Sequence, residues 1–187
     1  TLPLNSIGRI AIAVSPANPA YVYLLAANNS DSGYRGVMRS TNSGGAFTTQ
    51  STSPNVLGWD NGADTGGQGW YDLALAVSPT NKNELFTGGV NVWKSTNGGS
   101  SFTANTRWNW PTGSYGYVHA DIHTLDYFGN TLFCGSDGGI FKTTNAGSSW
   151  TDLTGGLEVT QFYRLGTSAT NAGTIIGGAQ DNGCSLL

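Results

Sequence analysis

Charge is scarce in this chain. Its 187 residues include eight Lys and Arg and eleven Asp and Glu, only 10% of the total, against roughly a quarter in an ordinary soluble domain. Three Lys and two Glu are too few to solvate the outer faces of several long amphipathic helices, so a mainly helical fold is excluded. The basic residues stand singly and the net charge is −3, which leaves no electrostatic footprint for nucleic acid or an anionic membrane. No apolar run approaches the length of a membrane-spanning helix, and the first residues lack the basic and apolar regions of an export leader. Two cysteines, Cys134 and Cys184, lack the CxxC spacing of a zinc knuckle or redox motif. They are read either as a disulfide between adjacent repeats or, for Cys134 in its apolar run, as a small buried hydrophobe.

What is abundant is Gly, Ser, Thr and Asn, together with 6 Trp, 8 Tyr and 7 Phe. This makeup fits β structure with many turns, wetted by polar rather than charged side chains, and it is the composition of an extracellular protein. The length is enough for one domain with a core that needs no metal or crosslink.

One string recurs three times: RSTNSGGAF at 39–47, KSTNGGSSF at 94–102 and KTTNAGSSW at 142–150, with the central Asn spaced by 55 and then 48 residues. Repeats of that period point to a propeller or solenoid. Before each string comes a short apolar run, GVMR, VNVWK or GIFK, and before that two strand-like runs around a turn signal, SPANPA, SPTNKN or FGNT. The units are placed at about 7–58, 59–117, 118–160 and a partial unit at 161–187. Within the string, Ser40, Ser95 and Thr143 can satisfy turn N–H groups, and Asn42, Asn97 and Asn145 can bond their own backbone. Gly44, Gly99 and Gly147 tolerate positive φ, and Phe47, Phe102 and Trp150 start the outgoing strand as packing rings. The turn hydrogen bond of Asn97 is expected to be buried, and the string to be a folding element rather than a ligand loop.

The string resembles the Asp box, S-x-D-x-G-x-[ST]-[WF], of the BNR-repeat β-propellers, found in sialidases, xyloglucanase-type glycoside hydrolases and sortilin-like proteins. Asn42, Asn97 and Asn145 replace the Asp uniformly, keeping the oxygen acceptor and removing the charge. The stretches GQGWYDLALAVSPTN, VHADIHTL, GSDGGIFKTTNAGSSW, LEVTQFY and GGAQDNG extend the resemblance to the sortilin-like modules of secreted bacterial proteins, especially those of Bacteroidetes. What it implies is an all-β propeller arc of about four blades, part of a longer ring, with the boxes away from any ligand site.

Candidate ligand residues follow from three places. If 119–125 enters a strand, His119, Asp121 and His123 alternate onto one face, where they could bind a metal, orient a substrate or bond a neighbouring blade. Asp137 in SDGG and Asp181 in QDNG stand at equivalent turns, and such turns gather at one end of a propeller channel. Trp70, Tyr71 and Asp72 in GGQGWYDL offer aromatic faces beside a carboxylate, suited to a sugar ring or to packing between blades. Trp108 and Trp110 lie in a long loop and are open to the same two readings. A glycosidase would draw on Asp64, Asp72, Asp121, Asp137 and Asp181 as carboxylates, because Glu84 lies inside a turn signal and Glu158 is the only other Glu. Arg9, Arg35, Arg39, Arg107 and Arg164 show no convergence for a sialidase.

These features lead to a non-enzymatic module for adhesion or for glycan or extracellular protein binding, at the bacterial cell surface or outside it. It would be joined to the remainder of a longer chain, with no cofactor and no metal. The alternative is a fragment of a xyloglucanase-like glycoside hydrolase.

Overall fold

The computed structural model describes residues 6–114, 116–157, 160–171, 173–180 and 183–186. Among these residues every regular element is a strand, and no helix is long and apolar enough to cross a membrane. The strands form antiparallel meanders: β1 (Ile7–Val14), β2 (Val22–Asn28), β3 (Tyr34–Ser40) and β4 (Thr48–Ser51); β5 (Ala74–Val77), β6 (Leu85–Gly88), β7 (Val92–Ser95) and β8 (Thr103–Ala104); β9 (Ile122–Phe128), β10 (Thr131–Ser136), β11 (Gly139–Thr143) and β12 (Thr151–Asp152). A three-stranded sheet follows, β13 (Phe162–Thr167), β14 (Ile175–Ala179) and β15 (Cys184–Leu186). Compactness divides the chain into Thr1–Thr154 and Gly155–Leu187.

In the first unit the three sheets pack face to face as successive blades, an arc of a β-propeller. The period-two alternation of β5 explains the stacking. Leu75 and Val77 project into a core shared with Tyr23, Leu25, Ala27 and Val37 of the first blade. Ala74 and Ala76 project oppositely, against Ile122, Leu125, Leu132, Cys134 and Phe141 of the third. Both faces of the middle sheet are therefore buried, which is why its strands read as nearly continuous apolar runs. Cys134 is fully buried and unpaired, while Cys184 is exposed and unpaired.

The three box turns join the third and fourth strands of each blade. In the second, Ser95 Oγ accepts from Gly99 N at 2.9 Å, and Asn97 Oδ1 accepts from Ser95 Oγ and Ser101 N, each at 3.0 Å. The Ser40/Asn42 and Thr143/Asn145 turns repeat the pattern. Asn97 Nδ2 also donates to Ser101 Oγ and Asn145 Nδ2 to Ser149 Oγ. The amide donates here where a carboxylate would instead accept from the serine hydroxyl. The expectation of a buried Asn97 bond is corrected. The hydroxyls of Ser40, Ser95 and Thr143 are buried, but Asn42, Asn97 and Asn145 lie on the exposed side of their turns. Phe102 and Trp150 enter the cores between blades, and half-buried Phe47 covers the outer face of the first.

Antiparallel order decides which loops share an end. The turns β2–β3, β6–β7 and β10–β11 and the blade-to-blade connections lie at one end of the arc; the boxes and the turns β1–β2, β5–β6 and β9–β10 lie at the other.

Candidate functional site

Loop 67–72 enters the middle blade at the end opposite the boxes and is anchored by its backbone. Gly67 and Gly69 donate to the carbonyls of Asp31 and Ser32 at 3.0 Å each, and a Cβ on Gly69 would lie 2.7 Å from that of Ala27. Glycine is required by this close approach. Arg9 Nη1 fixes the loop from above, donating to the Trp70 carbonyl at 3.1 Å and the Tyr71 carbonyl at 2.8 Å. Held in this way, Trp70 is 69% exposed, with its ring centroid 5.4 Å from that of Tyr71.

Tyr71 begins a polar chain. Its hydroxyl donates to both Asp137 oxygens, at 3.1 and 3.0 Å, and its ring meets the His123 imidazole edge-on at 4.8 Å. His123 Nε2 lies 2.6 Å from Asp137 Oδ1. The hydrogen bond that Tyr71 donates to the Asp137 carboxylate raises the Tyr71 pKa, because ionisation would set two negative charges against each other. Asp137 N donates to the Asp121 carbonyl at 3.2 Å, so the β10–β11 turn abuts the entry of β9.

Gln68 joins a second pair of carboxyls, its Nε2 donating to Asp72 Oδ2 at 3.1 Å and also to Asp121 Oδ1. Asp72 is wholly buried, and burial pushes its pKa up to about 8, with the charge of Asp121 adding to the rise. Held as a neutral acid, Asp72 buries no charge, and its Oδ1 has no hydrogen-bond partner among the described residues. Asp121 is half-buried, and its own pKa is raised by burial and by Asp137.

The structure thus brings Trp70, Tyr71, Asp72, Asp121, His123 and Asp137 to one end of the arc, although not by the strand alternation expected for residues 119–123. β9 begins only at Ile122, and Asp121 has φ +65°. That turn aims Asp121 at Gln68 and Asp72, while His123 reaches Asp137 and the His119 ring packs over the backbone of Gly138. Asp181 lies outside the described residues, as does Glu158. Asp64 caps its own loop by accepting from Asp60 N, and Glu84 pairs with Lys94 at 3.0 Å at the box end. Trp108 and Trp110 are each 47% exposed, and Trp108 Nε1 donates to the carbonyl of Trp59, itself 46% exposed. Among the described residues no group of three or more His, Cys, Asp and Glu is arranged to hold a metal ion. Sequence reasoning missed Arg9, Gln68 and Trp59. Only Gln68 carried a signal, as a lone long polar side chain between glycines in GGQGW.

No family model matches the chain, and no curated protein matches it. Among solved structures, it is similar to the GH74 enzyme of Niastella koreensis, with 25% identity, a TM-score of 0.52 and 95% of this chain aligned to 28% of that one. The GH74 xyloglucanase of Xanthomonas campestris aligns with 20% identity and a TM-score of 0.53, over 94% of this chain and 28% of the enzyme. YCF48 bound to D1 peptide aligns with 13% identity and a TM-score of 0.51, over all of this chain and 54% of YCF48. The fold is that of a partial β-propeller, and the chain spans about a quarter of the length of the GH74 enzymes it matches.

Proposed function

We propose that the chain is part of a secreted or cell-surface propeller of the BNR, sortilin-like kind, and that it binds glycan without catalysis at the end carrying Trp70 and Asp137. The remainder of a longer chain would complete the ring. The observation that carries this reading is the pairing of an open, backbone-anchored indole with a carboxylate oriented by Tyr71 and His123. A sugar ring stacks its C–H face on such an indole and offers hydroxyls to the carboxylate at its edge. Adhesion or extracellular protein binding would use the same surface. Titration of a glycan panel by calorimetry tests the reading: Trp70→Ala should weaken the best ligand by about tenfold or more, given the typical worth of an aromatic platform. Unchanged affinity would remove the site.

A hydrolase is the second reading, favoured by the 25% identity to the Niastella koreensis enzyme over 95% of this chain and by the raised pKa of Asp121 beside Asp137. Glycoside hydrolysis requires two carboxyl groups facing one bond, and Asp121 and Asp137 stand at the same end of the arc. Wholly buried Asp72 is out of reach of a substrate and would act only through Asp121. New reducing ends from plant or microbial polysaccharides would decide for this reading, and Asp137→Asn should abolish them.

A further inference from the structure

We propose that the recess beside Trp70 takes a hexuronate residue, so that the glycan recognised is an acidic polysaccharide. This rests on the glycan reading above and adds the charge of the sugar. The recess has a volume of about 280 Å³ and is lined by Arg9, Ala27, Asn28, Asn29, Ser32 and Trp70, with the backbone of Gly8. Drug-sized ligands occupy pockets from about 300 Å³ upward, so this one is matched to a single sugar ring.

Its chemistry is selective. Among the described residues Arg9 is the one charged side chain lining it, and it has no carboxylate partner. The guanidinium is nevertheless held in place, because Nη1 bonds the carbonyls of Trp70 and Tyr71. The N–H groups on Nη2 and Nε have no hydrogen-bond partner among the described residues, and a planar fork of this kind fits a carboxylate better than a hydroxyl. The side chains of Asn28 and Asn29 likewise make no hydrogen bond with described residues, and together with Ser32 they offer donors and acceptors to ring hydroxyls.

The geometry orders these contacts. A pyranose laid on the Trp70 face presents its C5 substituent at the ring edge. In a hexuronate that substituent is the carboxylate, and the cation beside the indole is anchored to the backbone of the same tryptophan. A neutral hexose would fill the volume but leave the cation without a counter-charge. Asp31, on the neighbouring β2–β3 turn, does not line the recess and uses Oδ1 to accept from Gly33 N.

The test is calorimetric titration of the full chain with oligogalacturonate and with the same oligosaccharide methyl-esterified, which loses the charge and gains one methyl group per residue. The acid form should bind about ten- to a hundredfold more tightly, the span of one charge-assisted hydrogen-bonding pair, and the advantage should shrink as salt is added. Arg9→Gln should remove the difference between the two forms. Arg9→Lys should keep part of it. Asn29→Ala, at an exposed residue whose side chain holds nothing in the fold, should weaken both forms without affecting stability. Equal affinity for acid and ester, or an acid preference that survives Arg9→Gln, overturns the inference and leaves the glycan reading standing. Failure of both forms and of every neutral oligosaccharide overturns the glycan reading and this inference with it.

Discussion

Ser95 and Asn97 stand two residues apart in the same turn but in different surroundings. Ser95 is 1% exposed and satisfies the buried Gly99 N–H, whereas Asn97 bonds Ser101 at the surface. Removing a buried partner leaves an unsatisfied group, at a cost of about 1–3 kcal/mol; an exposed group recovers water, so its loss costs about 1 kcal/mol or less. Urea denaturation should therefore rank Ser95→Ala as more damaging than Asn97→Ala, with glycan affinity unchanged in both. Asp72 sets a pH dependence. Its folded pKa is raised to about 8 from the ordinary value of 3.8, so between those limits the folded chain holds a proton that the unfolded chain has released. This contribution to stability is complete below the unfolded pKa and is lost as pH rises through the folded one. Asp121 shifts in the same direction. Melting temperature should fall from pH 5 to pH 8, and Asp72→Asn, which keeps the position neutral, should remove most of that fall. An unaltered slope in the variant would show that Asp72 is not the proton holder.

At the scale of elements, the contact between β6 and β9 depends on the absence of a side chain at Gly88. A Cβ there would lie 2.5 Å from Cγ2 and 2.8 Å from Cβ of Ile122, and 3.2 Å from Cβ of Ala74. Ile122 is fully buried and has no room to retreat. Gly88→Ala should cost about 1–3 kcal/mol through overpacking, read as a lower denaturation midpoint with unchanged slope. Gly155→Ala, where an added Cβ meets nothing within 4 Å, is the control and should be close to neutral.

At the scale of the molecule, the two compact units differ in how much apolar surface they bury. The first holds three blades and the cores between them. In the second, Phe162, Tyr163, Leu165, Ile176 and Leu186 are between 48% and 71% exposed, and a sheet so short has no core of its own. A chain ending at Thr154 should melt cooperatively. Residues 155–187 in isolation should show no sheet signal by circular dichroism, and a folded, cooperative fragment would contradict this.

Much of the architecture was written in local chemistry. The Ser/Thr-x-Asn-x-Gly turns and the period-two runs around SPANPA and SPTNKN need only near neighbours to act, and they define blades wherever they occur. The grouping of GGQGWYDL, HADIH and SDGG at one end follows from counting antiparallel strands. The partners within that group do not. Asp121 reaches Gln68 through a positive φ that breaks strand alternation, and Arg9 meets the Trp70 carbonyl across 61 residues of sequence. The depth of a side chain is equally a property of packing: it made Asp72 a neutral acid and left Asn97 at the surface, although each stands in a motif that reads as polar. Sequence alone determined the repeating strands and turns because those depend on short-range hydrogen bonds and side-chain alternation. Which carboxyl keeps its proton, and which arginine lines the recess beside Trp70, was decided by tertiary structure, since burial and charge proximity exist only once the blades have stacked.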